Sequence, residues 1–377
     1  MLLELSSDQD FLRETTARFL DDKVPPRELR RLRDDPGGFD AAYWRQGAEL
    51  GWTSLLVDAG LGGGSVSEHG LVDLTLLAHE FGRRAAPGPF VPTNVVAGAL
   101  SSANAHQELL SGLLDGTVIV TWCLGEAPPN DGFEEVAFEI RVDRSGLVLD
   151  GEKRPVESAT EATHFLVTGR TGAGLTQVLV PADSTGVSVV PMKAVDLTRR
   201  FATVRFDDVR VPVESVVGQV AKADEDVERQ LQHALVLANA ESVGAMQTAF
   251  DMTVAWAFDR YSFGRPLASY QALKHRFAAM ACWLEASHAI SDEAAHAVAT
   301  GSPQAGELVR AAAGYIGDRG PELLQDCVQL HGGIGLTYEH DLHLYLRRLT
   351  VNRSLWGSPA EHRRHLGRTI VETDTVA

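Results

Sequence analysis

The chain has 377 residues, a net charge of −17, 44% apolar residues and a mean hydropathy of −0.07. This length predicts two or three domains with separate cores. The acidic charge argues against nucleic acid and anionic membrane as partners, because its long-range field would repel both. It does not exclude an anionic cofactor, which a local arginine or a helix N-terminus can bind.

Cysteine usage and the first residues of the chain favour the cytoplasm. Cys123, Cys282 and Cys327 form no Cys-x-x-Cys pair and no Cys/His metal spacing, so we expect reduced thiols and no metal. The first residues lack the basic and apolar regions of a signal peptide. No apolar run approaches the roughly 18 residues that a membrane-spanning helix needs. We therefore expect a cytoplasmic protein that does not enter a membrane.

Residues 1–116 predict an N-terminal helical domain. Ser6 or Ser7 is a suitable N-cap for a first helix, in which Phe11, Thr15, Phe19 and Leu20 recur at helical spacing. A second helix is expected over 43–50, and a third over 72–81 with Gly82 as its C-cap. The glycine-rich loop 60–64 lacks the Gly-Lys-Ser/Thr ending of a phosphate-binding loop, so we interpret it as a flexible turn.

Residues 117–221 change from helical to alternating periodicity, which predicts a central β domain. Short strands are expected at 118–122, 138–142, 165–168, 177–180, 187–190 and 202–206. The segment 147–152 contains Asp150-Gly151, a pair typical of a two-residue hairpin turn. Together these elements predict a small antiparallel barrel or sandwich.

Residues 222–377 are helical again. Long helices are expected over 226–260, 268–300, 303–329 and 340–352, with a last helix after Pro359. The order helix, sheet, helix predicts an α+β fold that ends in a four-helix bundle.

Two segments of this last domain have the composition of a ligand site. One reads Gln-Leu-His-Gly-Gly-Ile-Gly over 329–335, and the other reads Asp-Arg-Tyr-Ser-Phe-Gly-Arg-Pro over 259–266. Glycine has no Cβ, so backbone there can approach a flat or anionic ligand closely. Backbone amides at such a position can also donate to phosphate oxygens. The pair of segments therefore predicts a nucleotide-like ligand.

The domain order and these segments resemble the acyl-CoA dehydrogenase family over most of the chain. Further similarity lies in Glu-Phe-Gly-Arg at 80–83 and in Phe-Asp-Asp-Val-Arg-Val-Pro at 206–212. The resemblance implies an FAD-dependent α,β-desaturation of an acyl-CoA thioester. It also implies an electron-transfer flavoprotein as the acceptor of the electrons.

In that family the C-terminal segments bind the flavin of a neighbouring subunit. The resemblance implies that Arg260 contacts the pyrophosphate, that Phe263 and Gln271 line the adenosine side, and that Gln329 packs on the ADP moiety with Gly332 and Gly333. We call these six residues the ADP half-site. Arginine offers a rigid fork for phosphate. The alternatives are that Arg260 caps helix carbonyls and that the glycines form a tight turn between helices.

The catalytic base of the family is missing from both of its usual positions, which fall on Trp356 and Ala234. Neither side chain accepts a proton. Glu241, seven residues after Ala234, is a weak candidate that we expect instead to be a buried hydrogen-bonding residue. Glu361 and His362 are expected on a solvated helix face. His331 is expected to pack or to face phosphate.

The segments that hold the flavin ring within one chain also depart from the family pattern. Residues 123–131 share Glu126, and at most Asp131, with the family's Thr-Glu-Pro-x-x-Gly-Ser-Asp element. The family's Trp-Ile-Thr element reads Pro155-Val156-Glu157 here. We call 123–131 and 155–157 the ring segments. An acidic Glu157 would be unfavourable beside a reduced, anionic flavin.

This one-sided pattern predicts a hetero-oligomer of α2β2 type, in which a catalytic paralogue supplies the ring pocket and the base. Such two-gene enzymes occur in actinobacterial sterol side-chain degradation, which this chain resembles. One alternative is a homotetrameric flavoenzyme of altered, oxygen-using chemistry. Another is a non-catalytic subunit that binds acyl-CoA. The acyl chain stays open at this point.

Overall fold

The computed structural model describes residues 5–376 except 34, 36, 128–135, 145 and 173. Its first part is helical and comprises α1 (Ser7–Lys23), α2 (Pro26–Leu32), α3 (Ala41–Glu49), α4 (Gly70–Arg84), α5 (Phe90–Ala103) and α6 (Gln107–Leu114). Ser6 begins α1 with a capping box, in which its hydroxyl accepts from the Gln9 amide at 3.2 Å and the Gln9 side chain accepts from the Ser6 amide at 3.0 Å. The N-cap prediction is confirmed at Ser6.

The predicted C-cap at Gly82 is wrong. Helix α4 continues to Arg84 and ends at Ala85, which has a φ of +48°. A Cβ added at Gly82 would lie 1.8 Å from the carbonyl oxygen of Glu241, in the later helix α7 (Asp224–Asp259). A Cβ at Gly244 of α7 would lie 2.0 Å from the His79 carbonyl. These glycines allow two helices to touch, so Gly82 serves packing within α4.

Two four-stranded sheets form the central part. Strands β1 (Val120–Cys123), β4 (His164–Thr171), β5 (Gly174–Pro181) and β8 (Val216–Val217) form the first sheet in that order. Strands β2 (Ile140–Asp143), β3 (Gly146–Glu157), β7 (Phe201–Val211) and β6 (Val187–Met192) form the second. β1 pairs with β4 in parallel, and the other pairs are antiparallel. The rings of Phe165 and Phe206 join the sheets at a centroid distance of 6.4 Å.

The predicted hairpin turn at Asp150-Gly151 is also wrong. β3 runs through both residues, with a break in register opposite β7 between Leu149 and Gly151. Gly151 has a φ of +135°, and a Cβ there would lie 3.1 Å from the Phe138 ring. The glycine thus accommodates a bulge beneath an aromatic ring, a second use of the same residue type.

The third part is the helical bundle. It contains α7, α8 (Gln271–Ala299), α9 (Ala305–His331), α10 (Leu342–Asn352) and α11 (Pro359–Val376). Helix, antiparallel sheet and helix follow one another as the α+β prediction stated. The predicted boundaries at 116/117 and 221/222 fall between elements. Among the described helices, none combines the length and the apolar character that a bilayer span requires.

Candidate functional site

A short hairpin projects from the end of α7 and carries two residues of the ADP half-site. Arg260 follows α7 directly, and β9 (Tyr261–Ser262) pairs with β10 (Arg265–Pro266). At the tip Phe263 and Gly264 take φ values of +50° and +78°. The Tyr270 hydroxyl donates to the Ser262 carbonyl at 2.6 Å, and this bond braces the hairpin against α8.

The glycine segment begins where α9 ends. Gly332 has a φ of +68° and opens a 3₁₀ turn over Gly332–Leu336. A Cβ on Gly332 or Gly333 would meet no heavy atom of the described residues within 4 Å. At Gly335, in contrast, a Cβ would lie 2.8 Å from the Val328 carbonyl. Packing therefore explains Gly335, whereas Gly332 and Gly333 border open space.

An aromatic stack brings the hairpin and the glycine segment together. The Trp256 ring stacks on His331 with centroids 5.2 Å apart and planes 17° apart. The Arg260 guanidinium lies 5.8 Å from the centroid of the same Trp256 ring. His331 is buried, and its Nδ1 donates to the Cys327 carbonyl at 2.8 Å. His331 thus packs beneath the segment, and Arg260 and Gly332 lie near opposite ends of one stack.

The ADP half-site is exposed. Arg260, Gln329, Gly332 and Gly333 all face solvent, and the Phe263 side chain is 95% exposed. Gln271, at the start of α8, contacts only its helix neighbour His275 at 3.2 Å among its described hydrogen bonds. Other large apolar side chains of these segments are exposed as well, namely Phe258, Tyr261, Ile334, Leu336 and Tyr338. Exposed apolar groups of this number mark an interaction surface.

This donor set fits the phosphate and adenosine end of a dinucleotide. The Arg260 guanidinium makes no ion pair within the described residues, so its fork is available to an oxyanion. The open Cβ positions of Gly332 and Gly333 leave room for close backbone approach. The six residues that were predicted from the sequence lie where α7 and α9 end and where α8 begins.

The two usual base positions hold apolar side chains in packed surroundings. Trp356 lies 6.4 Å, between ring centroids, from Trp122 on β1. Ala234 is fully buried on α7. At one position where the resemblance places the carboxylate base, this chain therefore has an indole that packs beside β1.

Glu241 is buried, and both of its oxygens are engaged. Oε1 accepts from Arg348 Nη1 at 2.5 Å. Oε2 accepts from Arg199 Nη1 at 3.2 Å and from Asn352 Nδ2 at 2.9 Å. A carboxylate whose two oxygens are both held by guanidinium groups is poorly placed to reach a substrate proton.

The ring segments are also engaged inside the chain. Glu157 binds the Arg199 guanidinium with both oxygens, one of them at 2.6 Å from Nε. Glu126 pairs with the buried Lys153 at 2.5 Å and accepts from the amides of Ala137 and Phe138. Asp131 lies outside the described residues. These acceptors are satisfied by protein donors, so the described part of the ring segments, 123–127 and 155–157, does not fit an isoalloxazine ring.

One further expectation was wrong. His362 is 2% exposed rather than solvated, and burial lowers the pKa of its imidazole to about 4. Glu361 accepts from the Ser358 amide at 2.5 Å and so caps α11. The turn before α11 folds His362 against Gly357, a contact that helical periodicity does not reveal.

Sequence reasoning missed an open groove of about 500 Å³ between α5, α7 and the edge formed by β5 and β8. Lys222, Arg229 and His233 are among the residues that line it. The amides of Gln177 and Gln230 exchange two hydrogen bonds of 2.7 Å in its wall. Burial, with a smaller effect of Arg229, lowers the pKa of His233 to about 4, so this imidazole is neutral at pH 7.

Comparisons with known proteins agree with the fold. The family model "Acyl-CoA dehydrogenase, N-terminal domain" matches residues 6–117, and "Acyl-CoA dehydrogenase, C-terminal domain" matches residues 225–371. The acyl-CoA dehydrogenase IpdE2 of Mycobacterium tuberculosis is 28% identical over 379 residues, which cover 97% of this chain and 98% of that protein.

Solved structures give the same result. A variant of the Tcur3481-Tcur3483 steroid acyl-CoA dehydrogenase superposes with a TM-score of 0.88 at 25% identity over 98% of this chain and 99% of that one. The ChsE4-ChsE5 complex from Mycobacterium tuberculosis superposes with a TM-score of 0.87 at 23% identity over 99% of each chain.

Proposed function

Because the chain belongs to the acyl-CoA dehydrogenase family, we propose that it is the base-lacking subunit of an FAD-dependent acyl-CoA dehydrogenase and lends its ADP half-site to a catalytic partner chain. The family comprises oxidoreductases that act on CH–CH bonds, and its cofactor is FAD. When bound, the flavin accepts the hydride that leaves the substrate's β-carbon. The residues of this chain would bind and orient the cofactor's distal end.

The observation that carries the proposal is a contrast within one chain. The ADP half-site is open, with Phe263 95% exposed and free space beside Gly332 and Gly333. Among the described residues of the ring segments, Glu157 and Glu126 are bound by Arg199 and Lys153, and the two usual base positions hold Trp356 and Ala234. Within the part of the chain that the structure describes, the distal half of a flavin site is therefore the half that is open to a ligand.

The roles of the half-site residues follow from their chemistry. Arg260 would bind the pyrophosphate, and the backbone amides after α9 would donate to its oxygens. Phe263 and Gln271 would contact the adenosine. The stack of Trp256 on His331 holds the two segments at a fixed distance, so Arg260 and the glycines can act on one ligand.

A partner chain would cover the exposed apolar surface and supply the ring pocket and the base. The ChsE4-ChsE5 structure is a complex of two different chains, which supports an α2β2 assembly over a homotetramer. The steroid acyl-CoA dehydrogenase neighbour favours a steroid-derived thioester as the substrate class. Such a substrate would lie in the partner, since Trp356 fills the corresponding space here. An electron-transfer flavoprotein would receive the electrons.

Flavin content tests the proposal. We expect little flavin absorbance near 450 nm when the chain is expressed alone, and about one FAD per heterodimer when it is co-expressed with its acyl-CoA dehydrogenase paralogue. In the complex Arg260→Ala should remove most of the flavin. Arg205→Ala, an exposed arginine on β7, is the matched control and should retain it. Full flavin occupancy with Arg260→Ala would contradict the half-site.

The groove favours a second candidate function, an acyl-CoA-binding subunit without turnover. Its volume of about 500 Å³ and its basic residues Lys222 and Arg229 suit a phosphate-bearing thioester. Titration calorimetry of the chain alone with an acyl-CoA, and with CoA, tests this function. Binding that Arg229→Ala weakens tenfold or more would favour it, and absence of heat with either ligand would exclude it.

A further inference from the structure

A buried cluster of five charged side chains lies where the three parts of the chain meet. Its members, here called the ion-pair cluster, are Glu157, Asp196, Arg199, Glu241 and Arg348, and each is at most 6% exposed. Glu157 ends β3, Asp196 and Arg199 lie between β6 and β7, Glu241 is on α7 and Arg348 is on α10. The cluster therefore joins the central sheets to the bundle.

Arg348 also reaches the N-terminal domain. Its Nε donates to Asp196 Oδ2 at 2.5 Å, and its Nη1 donates to Glu241 at 2.5 Å. Its Nη2 donates to the carbonyls of Ala85 and Ala86, just after α4, at 3.1 and 3.0 Å. One fully buried guanidinium thus binds all three parts of the chain, with every nitrogen engaged.

Arg199 forms the other half of the cluster. It is bidentate to Glu157, and its Nη1 donates to Glu241 at 3.2 Å and to Asn352 Oδ1 at 2.7 Å. Asn352 in turn donates to Glu241 at 2.9 Å. Glu157, a residue of the ring segments, is thereby tied to α7 and α10 through a single arginine.

Electrostatic effects within the cluster oppose the cost of burial. Burial is the largest effect on Asp196 and disfavours its charge, but Arg348, the Thr198 amide and Arg199 together lower the pKa of that carboxyl. The pKa of Arg348 is raised by Asp196 and Glu241 against the opposing effect of burial. Burial raises the pKa of the Glu157 carboxyl, although Arg199 opposes this shift. Every carboxyl of the cluster has a guanidinium partner, as buried ionisable groups require.

A small cavity borders the cluster beside Asn352. A cavity of about 20 Å³ is lined by residues that include Ser242, Asn352, Gly357 and His362. This volume holds about one water molecule. The Trp122 and Trp356 rings close the seam between β1 and the bundle.

We propose that the ion-pair cluster takes the place of a flavin ring in this chain and holds its three parts together without a cofactor. The inference deepens the proposed function, on which it rests: a chain that lends half a flavin site to a partner keeps its own ring position closed with its own side chains. A closed seam also keeps the chain folded before it meets a partner and a flavin.

FMN tests the closed ring position, because it carries the isoalloxazine ring without the ADP moiety. The probe is titrated into the purified chain alone while flavin fluorescence and the melting midpoint are measured. We expect unchanged fluorescence and an unchanged midpoint in excess FMN. Saturable quenching at one FMN per chain, or a rise in the midpoint, would overturn the proposal.

Substitutions test whether the ion-pair cluster holds the three parts of the chain together. Arg199→Met should lower the melting midpoint strongly, because it leaves Glu157 and part of Glu241 buried without a charge partner. Arg205→Met, which breaks an exposed pair with Glu152 on the same sheet, is the matched control and should leave the midpoint nearly unchanged. The double variant Glu157→Gln with Arg199→Met should lose less than the sum of the two single losses. Equal melting midpoints for Arg199→Met and the control would contradict the proposal that the ion-pair cluster stabilises the fold.

If Arg199→Met does not fold, Glu157→Gln can replace it in the melting experiment. This variant keeps the side-chain volume and removes the charge that pairs with Arg199. Flavin content of the heteromeric complex separates this inference from the proposed function. Glu157→Gln should leave the flavin of the complex in place, whereas Arg260→Ala should remove it. If the Arg260→Ala complex retains its flavin, the proposed role of the ADP half-site is contradicted, and the inference about the ion-pair cluster is not. If the chain alone binds FMN, the inference about the ion-pair cluster is contradicted, and the proposed role of the ADP half-site is not.

Discussion

The ADP half-site and the ion-pair cluster use the same residue type, arginine, in opposite ways. Arg260 is exposed and rests on a tryptophan ring. Arg348 is fully buried and engages two carboxylates and two backbone carbonyls. An arginine without an internal partner can bind a ligand, while one whose donors are all satisfied can only stabilise the fold. The contrast distinguishes the proposed binding arginine from the structural one.

The largest expected effect is at the cluster. Arg348→Met leaves Asp196 and Glu241 buried without their main partner, and breaking such a pair costs about 3–5 kcal/mol. Urea unfolding monitored by circular dichroism would measure the loss. Arg260→Met is the counterpart on the surface and should change the free energy of unfolding by about 0.5 kcal/mol or less. Similar losses of unfolding free energy in both variants would contradict the distinction between the buried and the exposed arginine.

Acid pH should lower the free energy of unfolding, because two histidines are buried in their neutral form. Burial lowers the pKa of His362 to about 4 and that of His288 to about 3. An unfolded chain protonates histidine near pH 6.5, so between pH 6.5 and about 4 the unfolded state binds more protons. Stability therefore falls as the pH drops through this window, by up to about 1.4 kcal/mol per pH unit for each such histidine.

Variants separate the histidines in that experiment. His362→Asn should reduce the slope of unfolding free energy against pH below 6.5. His275→Asn, on the exposed face of α8, should leave the slope as it is. A slope that is the same in wild type and His362→Asn would show that this imidazole takes up protons in the folded chain as well.

A smaller effect is expected where α4 meets α7. Gly82→Ala forces a methyl group against the Glu241 carbonyl and so moves the helix that carries a cluster residue. Overpacking of this kind costs about 1–3 kcal/mol. Gly333→Ala meets open space and should leave the urea midpoint unchanged, while it lowers flavin retention in the complex. Loss of stability at Gly333 would mean that this glycine packs after all.

The smallest effect on stability is expected at the hairpin tip. Phe263 is 95% exposed, so Phe263→Ser should leave the free energy of unfolding within about 0.5 kcal/mol. If a partner covers this surface, the same variant should weaken the heteromeric complex, which analytical ultracentrifugation would show. Phe11→Ser, exposed on α1, is the control that should change neither quantity.

Local patterns in the sequence were sufficient for the helices, for most strands and for the segments of the ADP half-site. Five of the six half-site residues lie in two short segments, and Gln271 follows one of them at the start of α8. The predictions for two glycines were wrong, because glycine occurs in caps and turns and also at close packing contacts and bulges. Gly82 and Gly151 were interpreted as a cap and a turn, but close helix contact and a bulge account for them. The domain boundaries and the roles of the site residues stay predictions.

The sequence by itself determined the family and the order of helical and sheet domains, and it predicts the ligand segments and the missing base. Only the tertiary structure decided what fills the ring position. The partners of the cluster lie far apart in the chain, because Arg348 is 107 positions after Glu241 and 152 positions after Asp196. Charges so distant in sequence pair only after three parts of the chain pack, and no local pattern selects which arginine will meet which carboxylate.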